Sequence, residues 1–231
     1  LPFAKTFSPG DVPSRAALLY HHSIGSDLTA AAIAHSGSKA LIYHNITPSE
    51  FYRPWDAKHA QLLERGHMAL HSLAAAFPVS AGVSEHNADD LRSAGFSNPH
   101  VLSIGVDPIA WDLPANAALM AELQDGRTNI LFVGRFAPNK CQHDLVTAFS
   151  EYLALDDSAR LVLVGKALPA DRYAAHVRDA IRDARLGDRV LLVEDATPAE
   201  LQACYRAAHL FWSMSEHEGF CVPLIEAFYK R

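Results

Sequence analysis

The sequence predicts an α/β protein built as two units, each a doubly wound parallel sheet. Three observations carry this. Short apolar runs alternate with segments whose apolar residues recur at helical spacing. The runs are apolar at nearly every position, as strands covered on both faces are. The alternation also lapses between Asp107 and Arg127 and then restarts. The boundaries that follow are residues 1–107 for the first unit, 108–127 for a hinge and 128–231 for the second.

In the first unit, Ala17-Leu18-Leu19-Tyr20 reads as a strand running into His21-His22. Ser26 is placed to cap a helix through Leu28, Ala31 and Ala32 that Gly37 ends. Ala40 to Tyr43 is the second strand, closing at His44-Asn45 before Thr47-Pro48. Phe51 to Trp55 is an aromatic loop, and Asp56 caps a long helix striped by Leu63, Gly66, Leu70, Leu73 and Phe77. Val79 to Val83 is the third strand, Ser84 caps a helix that closes at Gly95, and Val101 to Val106 is the fourth strand.

Pro108, Pro114, Asn116 and Asp125-Gly126 break the pattern between the units. In the second unit, Asn129 to Gly134 is a strand, and Asn139-x-x-Gln142 has capping-box spacing for the helix of Leu145, Ala148, Phe149, Tyr152 and Leu153. Arg160 to Gly165 is the next strand, followed by a helix on Tyr173, Val177, Ile181 and Ala184, then the strand Val190 to Val193. Thr197-Pro198-x-Glu200 is a second capping box, opening a helix of Leu201, Cys204, Tyr205 and Ala208. Leu210 to Met214 is the last strand.

Composition narrows the function. The chain has 231 residues and a net charge of −6, which argues against general nucleic-acid binding. Its three cysteines, Cys141, Cys204 and Cys221, show no paired pattern and read as thiols of a reducing, cytoplasmic compartment. No apolar run reaches the roughly 18 residues of a membrane helix. Thirteen histidines include no ligand set of recognised spacing, and no Asp-x-Asp pair follows a strand, so no metal is expected.

The polar residues at strand ends are the candidates. Glu218 and Glu226 have seven residues between them; the first precedes a helix start and the second lies in the helix that Pro223 can open as its first residue. The N–H groups between them, around Gly219, Phe220, Cys221 and Val222, are a seat for an anion. The carboxylates suit sugar and ribose hydroxyls; the alternative is a glutamate that merely complements the helix dipole. Arg135 and Lys140 flank the tight loop after Gly134, with Lys140 in the first turn of its helix. A cation beside a helix N-terminus makes sense when a phosphate sits there. The alternative is a solvated lysine and an arginine paired with a carboxylate. Neither a P-loop nor a G-x-G-x-x-G fingerprint is present.

Together, Gly134-Arg135-x4-Lys140, the Glu200-Leu201…Tyr205-x-x-Ala208 helix and Ser215-x-x-Glu218-Gly219-Phe220-x-x-Pro223-x-x-Glu226-Ala227 resemble glycosyltransferase family 4. Those are retaining, metal-independent enzymes of the GT-B fold, two Rossmann-like domains facing a cleft. The resemblance implies that Arg135 and Lys140 neutralise the donor diphosphate and that Glu226 accepts from the ribose. It places Glu218 and His44 at the donor sugar, N–H groups of Phe220 to Val222 on sugar or phosphate, and base contacts near Val193 to Ala196. The implied partners are a nucleotide-sugar donor and a glycan or lipid-linked acceptor. Relatives with a similar Glu216-His217-Glu218-Gly219-Phe220 stretch suggest a hexose such as mannose from GDP-mannose.

Two departures accompany the resemblance. No glycine-rich loop is found ahead of Ala17, and the chain stops inside the helix after the glutamates, so it reads as trimmed at both ends. Phe51 to Trp55 reads first as core and second as a peripheral contact at the cytoplasmic face of the inner membrane. Two other functions compete: a nucleotide-sugar epimerase of related fold, and a non-catalytic nucleotide- or sugar-binding module.

Overall fold

The computed structural model describes Pro13 and residues 15–167 and 171–230. The chain divides into two compact units, Leu1–Ile104 and Gly105–Arg231. The missing glycine-rich loop falls mostly on residues outside those described.

In the first unit, β1 (Leu18–His22), β2 (Lys39–Tyr43), β3 (Val79–Gly82) and β4 (His100–Val101) form a parallel sheet in chain order, with no reversal among the described strands. His21 and His22 belong to β1 itself rather than to a loop after it. Between the strands run α1 (Leu28–Ala34), the single turn α2 (Ser49–Tyr52), α3 (Ala57–Ala76) and α4 (Glu85–Ser93). Ser26 Oγ accepts from the Leu28 N–H at 3.2 Å, so it supports the entry to α1, although Asp27 is the capping position. Asp56 and Ser84 cap α3 and α4 through side-chain bonds to the third residue on. The α3 stripe of Leu63, Gly66, Leu70 and Leu73 is buried. Gly25 and Gly66 meet there backbone to backbone: a Cβ on Gly25 would lie 2.6 Å from the Leu62 carbonyl oxygen. Tyr52 is buried and its ring packs on His59 at 4.4 Å between centroids, so this part of the aromatic loop is core.

The fourth strand is far shorter than Val101 to Val106. Among the described strands it pairs with β3 alone; the Leu102 N–H still donates to the Gly82 carbonyl at 2.9 Å, and beyond Val101 the chain carries Leu102, Ile104 and Val106 exposed.

Residues 108–127 carry structure. A 3₁₀ turn at Pro108–Trp111 meets the last helix through Tyr229 and Lys230, and α5 (Ala117–Leu123), capped by Asn116, packs on the helix Pro198–Ala207. These residues lie in the second unit, and Leu123 is part of its core.

The second sheet contains β5 (Asn129–Val133), β6 (Arg160–Gly165), β7 (Val190–Glu194) and β8 (Leu210–Phe211) in the order β7-β6-β5-β8, all parallel. Helices α6 (Gln142–Tyr152), α7 (Arg172–Asp183), α8 (Pro198–Ala207) and α9 (Val222–Tyr229) join or follow them. The order reverses between β5 and β8. In open α/β sheets ligands bind beyond the strand C-termini at such a reversal. One core cluster sets α5 and α8 on the sheet through Leu123, Leu131, Val162, Val164, Cys204 and Tyr205. The Thr197–Glu200 capping box forms in both directions.

Three expectations at this sheet change. The last strand ends at Phe211 instead of Met214. Trp212 still donates to the Leu131 carbonyl, after which the chain turns into the glutamate loop. The Asn139 capping box does not form, because Cys141 enters the left-handed region at φ 52° and stands before α6 itself. Lys140 therefore sits in a 3₁₀ turn, Pro138–Lys140, ahead of the helix. Pro223 is the second residue of α9, with Val222 the first.

Candidate functional site

The two strands at the reversal launch the loops that hold the candidates. After β5 comes Gly134, whose N–H donates to the Val164 carbonyl at 2.9 Å. Gly165, ending β6, lies so close that a Cβ there would stand 2.0 Å from the Gly134 carbonyl oxygen. Only glycine lets these backbones touch, and the contact aims the chain out at Arg135. The Gln142 side chain donates to the Arg135 carbonyl at 2.9 Å, fixing the loop from the far side. The Arg135 side chain is exposed.

Asn139 links this loop to the one after β8. Its carbonyl accepts from the Glu216 N–H at 3.0 Å and its side-chain amide donates to the His217 carbonyl at 2.9 Å. Held this way, the loops bring Lys140 Nζ onto Glu218 Oε2 as an ion pair. Both side chains are mostly covered, 19% and 29% exposed, so water screens this pair less than a surface one.

Beyond Glu218 the chain passes through half-buried Gly219 and Phe220 to Cys221, which is left-handed at φ 58° and stands before α9. Pro223 lacks an N–H, so the donors at this helix start belong to Val222 and the residues before it. Glu226 lies one turn on. Its Oε2 accepts from the Tyr205 hydroxyl at 2.6 Å, and that hydroxyl also lies 3.2 Å from the Pro223 carbonyl. Tyr205 is 5% exposed; burial first, and then the Glu226 carboxylate, push its hydroxyl far above the usual phenol range. The hydroxyl therefore remains a donor.

Neither thiol near the site is pushed toward the thiolate. Burial raises Cys141, and burial followed by the Glu218 carboxylate raises Cys221. Both stay protonated at neutral pH, unlike nucleophilic cysteines. Among the described residues, Cys141, Asp144 and Glu216 offer ligand atoms within 4.8 Å of one another, a grouping that sequence spacing did not reveal.

In the first unit, His44 follows β2 and its Nε2 lies 2.7 Å from His21 Nδ1, with the rings stacked. Burial, then the neighbouring His21, hold His44 below the usual imidazole range. His22 is fully buried. Its Nε2 faces the Gly66 carbonyl at 2.9 Å and must carry the proton, since a carbonyl only accepts.

The structure thus brings together Gly134, Arg135, Lys140, Glu218 to Val222 and Glu226 on one end of the second sheet. Sequence reasoning overlooked Asn139 as a clasp, Gly165 as a close approach and the Tyr205 hydroxyl as a partner. Only Tyr205 carried a signal: a tyrosine in an apolar helix stripe needs a bond for its hydroxyl.

Residues 121–230 match the family model described as glycosyl transferases group 1. A GDP-mannose:cellobiosyl-diphosphopolyprenol alpha-mannosyltransferase of Xanthomonas oryzae pv. oryzae is 31% identical over 102 residues, 44% of this chain and 26% of the relative. A D-inositol 3-phosphate glycosyltransferase of Segniliparus rotundus is 26% identical over 206 residues, 87% of this chain and 44% of the relative. The chain thus spans less than half the length of these two. Among solved structures, a sucrose-phosphate synthase from Thermosynechococcus elongatus aligns with a TM-score of 0.69 at 20% identity, covering 91% of this chain and 53% of that one. Anabaena HepE in complex with UDP aligns at 0.65 and 18% identity, covering 87% and 54%. At such identities the structural likeness speaks for the fold, which is α/β with parallel sheets and has GT-B glycosyltransferases as its neighbours. The family match falls on the unit that carries the site.

Proposed function

We propose that the protein is a retaining glycosyltransferase that moves a hexose from a nucleotide-diphosphate sugar to a glycan or lipid-linked acceptor, with no metal. The observation that carries this reading is the Lys140–Glu218 pair at the sheet reversal, with the α9 start and Glu226 directly following. Cleaving a sugar–phosphate bond builds negative charge on the diphosphate and positive character on the sugar. Arg135, Lys140 and the N–H groups of Gly219 to Val222 stabilise the first; being held before the reaction, they need little reorganisation. Glu218 holds sugar hydroxyls and keeps Lys140 in place. Glu226 accepts from the ribose hydroxyls. His44 is assigned to the donor sugar on the resemblance. The mannosyltransferase relative favours GDP-mannose as donor, whereas the UDP in the HepE structure makes a uridine donor the alternative. The cysteines are free and no helix of the described residues is long and apolar enough to cross a membrane; a cytoplasmic setting is part of the proposal.

Titration calorimetry with GDP, UDP and ADP tests this. One nucleoside diphosphate is expected to bind, and Arg135→Ala, Lys140→Ala and Glu226→Ala are each expected to weaken it by roughly tenfold or more, the scale of one charge-assisted hydrogen bond. Unchanged affinity in all three variants would remove the basis of the reading.

A further inference from the structure

The Tyr205–Glu226 contact joins a rigid element to a carboxylate that the reading above places on ribose. Tyr205 stands on α8, which is capped in both directions at Thr197 and Glu200 and packed on α5 and the sheet. Its ring is buried among Leu123, Leu131 and Cys204. Its single hydroxyl proton faces two acceptors, Glu226 Oε2 at 2.6 Å and the Pro223 carbonyl at 3.2 Å. The shorter contact, to a charged oxygen, takes the proton. One Glu226 oxygen is thereby held from below by a side chain that cannot swing, and the plane of the carboxylate is set before any ligand arrives.

A glutamate on the second turn of an eight-residue helix otherwise turns about its own side-chain bonds. Recognition of two adjacent hydroxyls needs a fixed carboxylate plane, because both must donate to it at once. A loosely held carboxylate still attracts a nucleotide's hydroxyls but discriminates poorly between one hydroxyl and two.

We propose that Tyr205 is the positioning residue for Glu226 and, through it, sets the preference for a ribonucleotide over a 2′-deoxyribonucleotide. This rests on the reading that Glu226 binds ribose, and the test separates the two. Affinities of GDP and 2′-deoxy-GDP, and of UDP and 2′-deoxy-UDP, are measured on the unmodified protein, Tyr205→Phe and Glu226→Ala. The ribo-to-deoxy ratio is expected to fall about tenfold in Tyr205→Phe, or ~1.4 kcal/mol. The 2′-deoxy affinity itself is expected to move by less than about threefold, since the diphosphate contacts remain. A merely structural tyrosine would lower both affinities together and leave the ratio intact. Each ratio is taken on one preparation, so a loss of folded fraction cancels. The double variant Tyr205→Phe with Glu226→Ala is expected to match Glu226→Ala alone. If Glu226→Ala abolishes the preference while Tyr205→Phe keeps it, the positioning role is refuted and the ribose reading survives. If Glu226→Ala keeps the preference, the ribose reading itself falls, and the positioning role with it.

Discussion

Gly165→Ala tests whether the site loop is aimed by backbone contact. The new Cβ would lie 2.0 Å from the Gly134 carbonyl oxygen and 2.8 Å from its carbon. Ordinary contact begins near 3.4 Å, so β5 and β6 must separate by about 1.4 Å at their ends. Overpacking costs about 1–3 kcal/mol where a side chain can yield. Here the obstacle is backbone, which cannot rotate aside, so the upper end applies. The Gly134 N–H to Val164 hydrogen bond and the Phe136 N–H to Lys166 bond span the same junction. Losing one adds about 1 kcal/mol. The sum is roughly 3–4 kcal/mol, which at 2–4 °C per kcal/mol lowers Tm by about 6–16 °C. Gly187→Ala is the control, because a Cβ there meets nothing within 4 Å; it is expected to be neutral or to stabilise by about 0.4–1 kcal/mol. Melting followed by circular dichroism reads both. Diphosphate affinity, measured below the melting range, is expected to fall in Gly165→Ala alone, since Arg135 is displaced with Gly134. A Gly165→Ala melting point within 2 °C of the Gly187→Ala value would refute the close approach and the account of the loop built on it.

Two further outcomes follow. Asn139→Asp replaces the buried donor to the His217 carbonyl with an acceptor, and is expected to cost about 1–3 kcal/mol and to speed amide exchange in residues 214–220, read by mass spectrometry. Exchange confined to the β5–α6 loop would argue against the clasp. The second outcome is loss of stability on acidification. Burial holds His22 below its ordinary 6.5, so the unfolded chain binds more protons once pH falls below that value. Stability is present in full above pH 6.5 and declines as pH drops toward the lowered native value. His44 adds an effect of the same sign. Melting at pH 7.5 and 5.0 reads it, and His22→Gln is expected to flatten the dependence; an equal slope in the variant would assign the effect elsewhere.

Sequence by itself determined the order of elements, because each rests on local rules. Leu63, Leu70 and Leu73 recur at helical spacing, Asp56, Ser84 and Thr197 cap where their side chains reach free N–H groups, and β5 and β6 are apolar after their first residues, Asn129 and Arg160. Arg135, Lys140 and Glu218 stand out as candidates in the sequence because each lies at a junction of elements, and Glu226 because it follows Pro223 in the helix after them. Tertiary structure decided what depends on partners distant in the chain. Asn139 has capping-box spacing, yet its amide bonds a carbonyl 78 residues away. The runs after Val101 and Phe211 read as strand from their composition, yet the folded chain leaves strand form there, after a last backbone bond to Gly82 and to Leu131 respectively. The stretch 108–127 reads as a linker because its prolines interrupt periodicity, but Leu123 finds its place only once α8 is folded against it. Local periodicity determines where backbone bonds close within a segment; long-range contact determines which polar group meets which, and that meeting is what holds Lys140 on Glu218 and Tyr205 on Glu226.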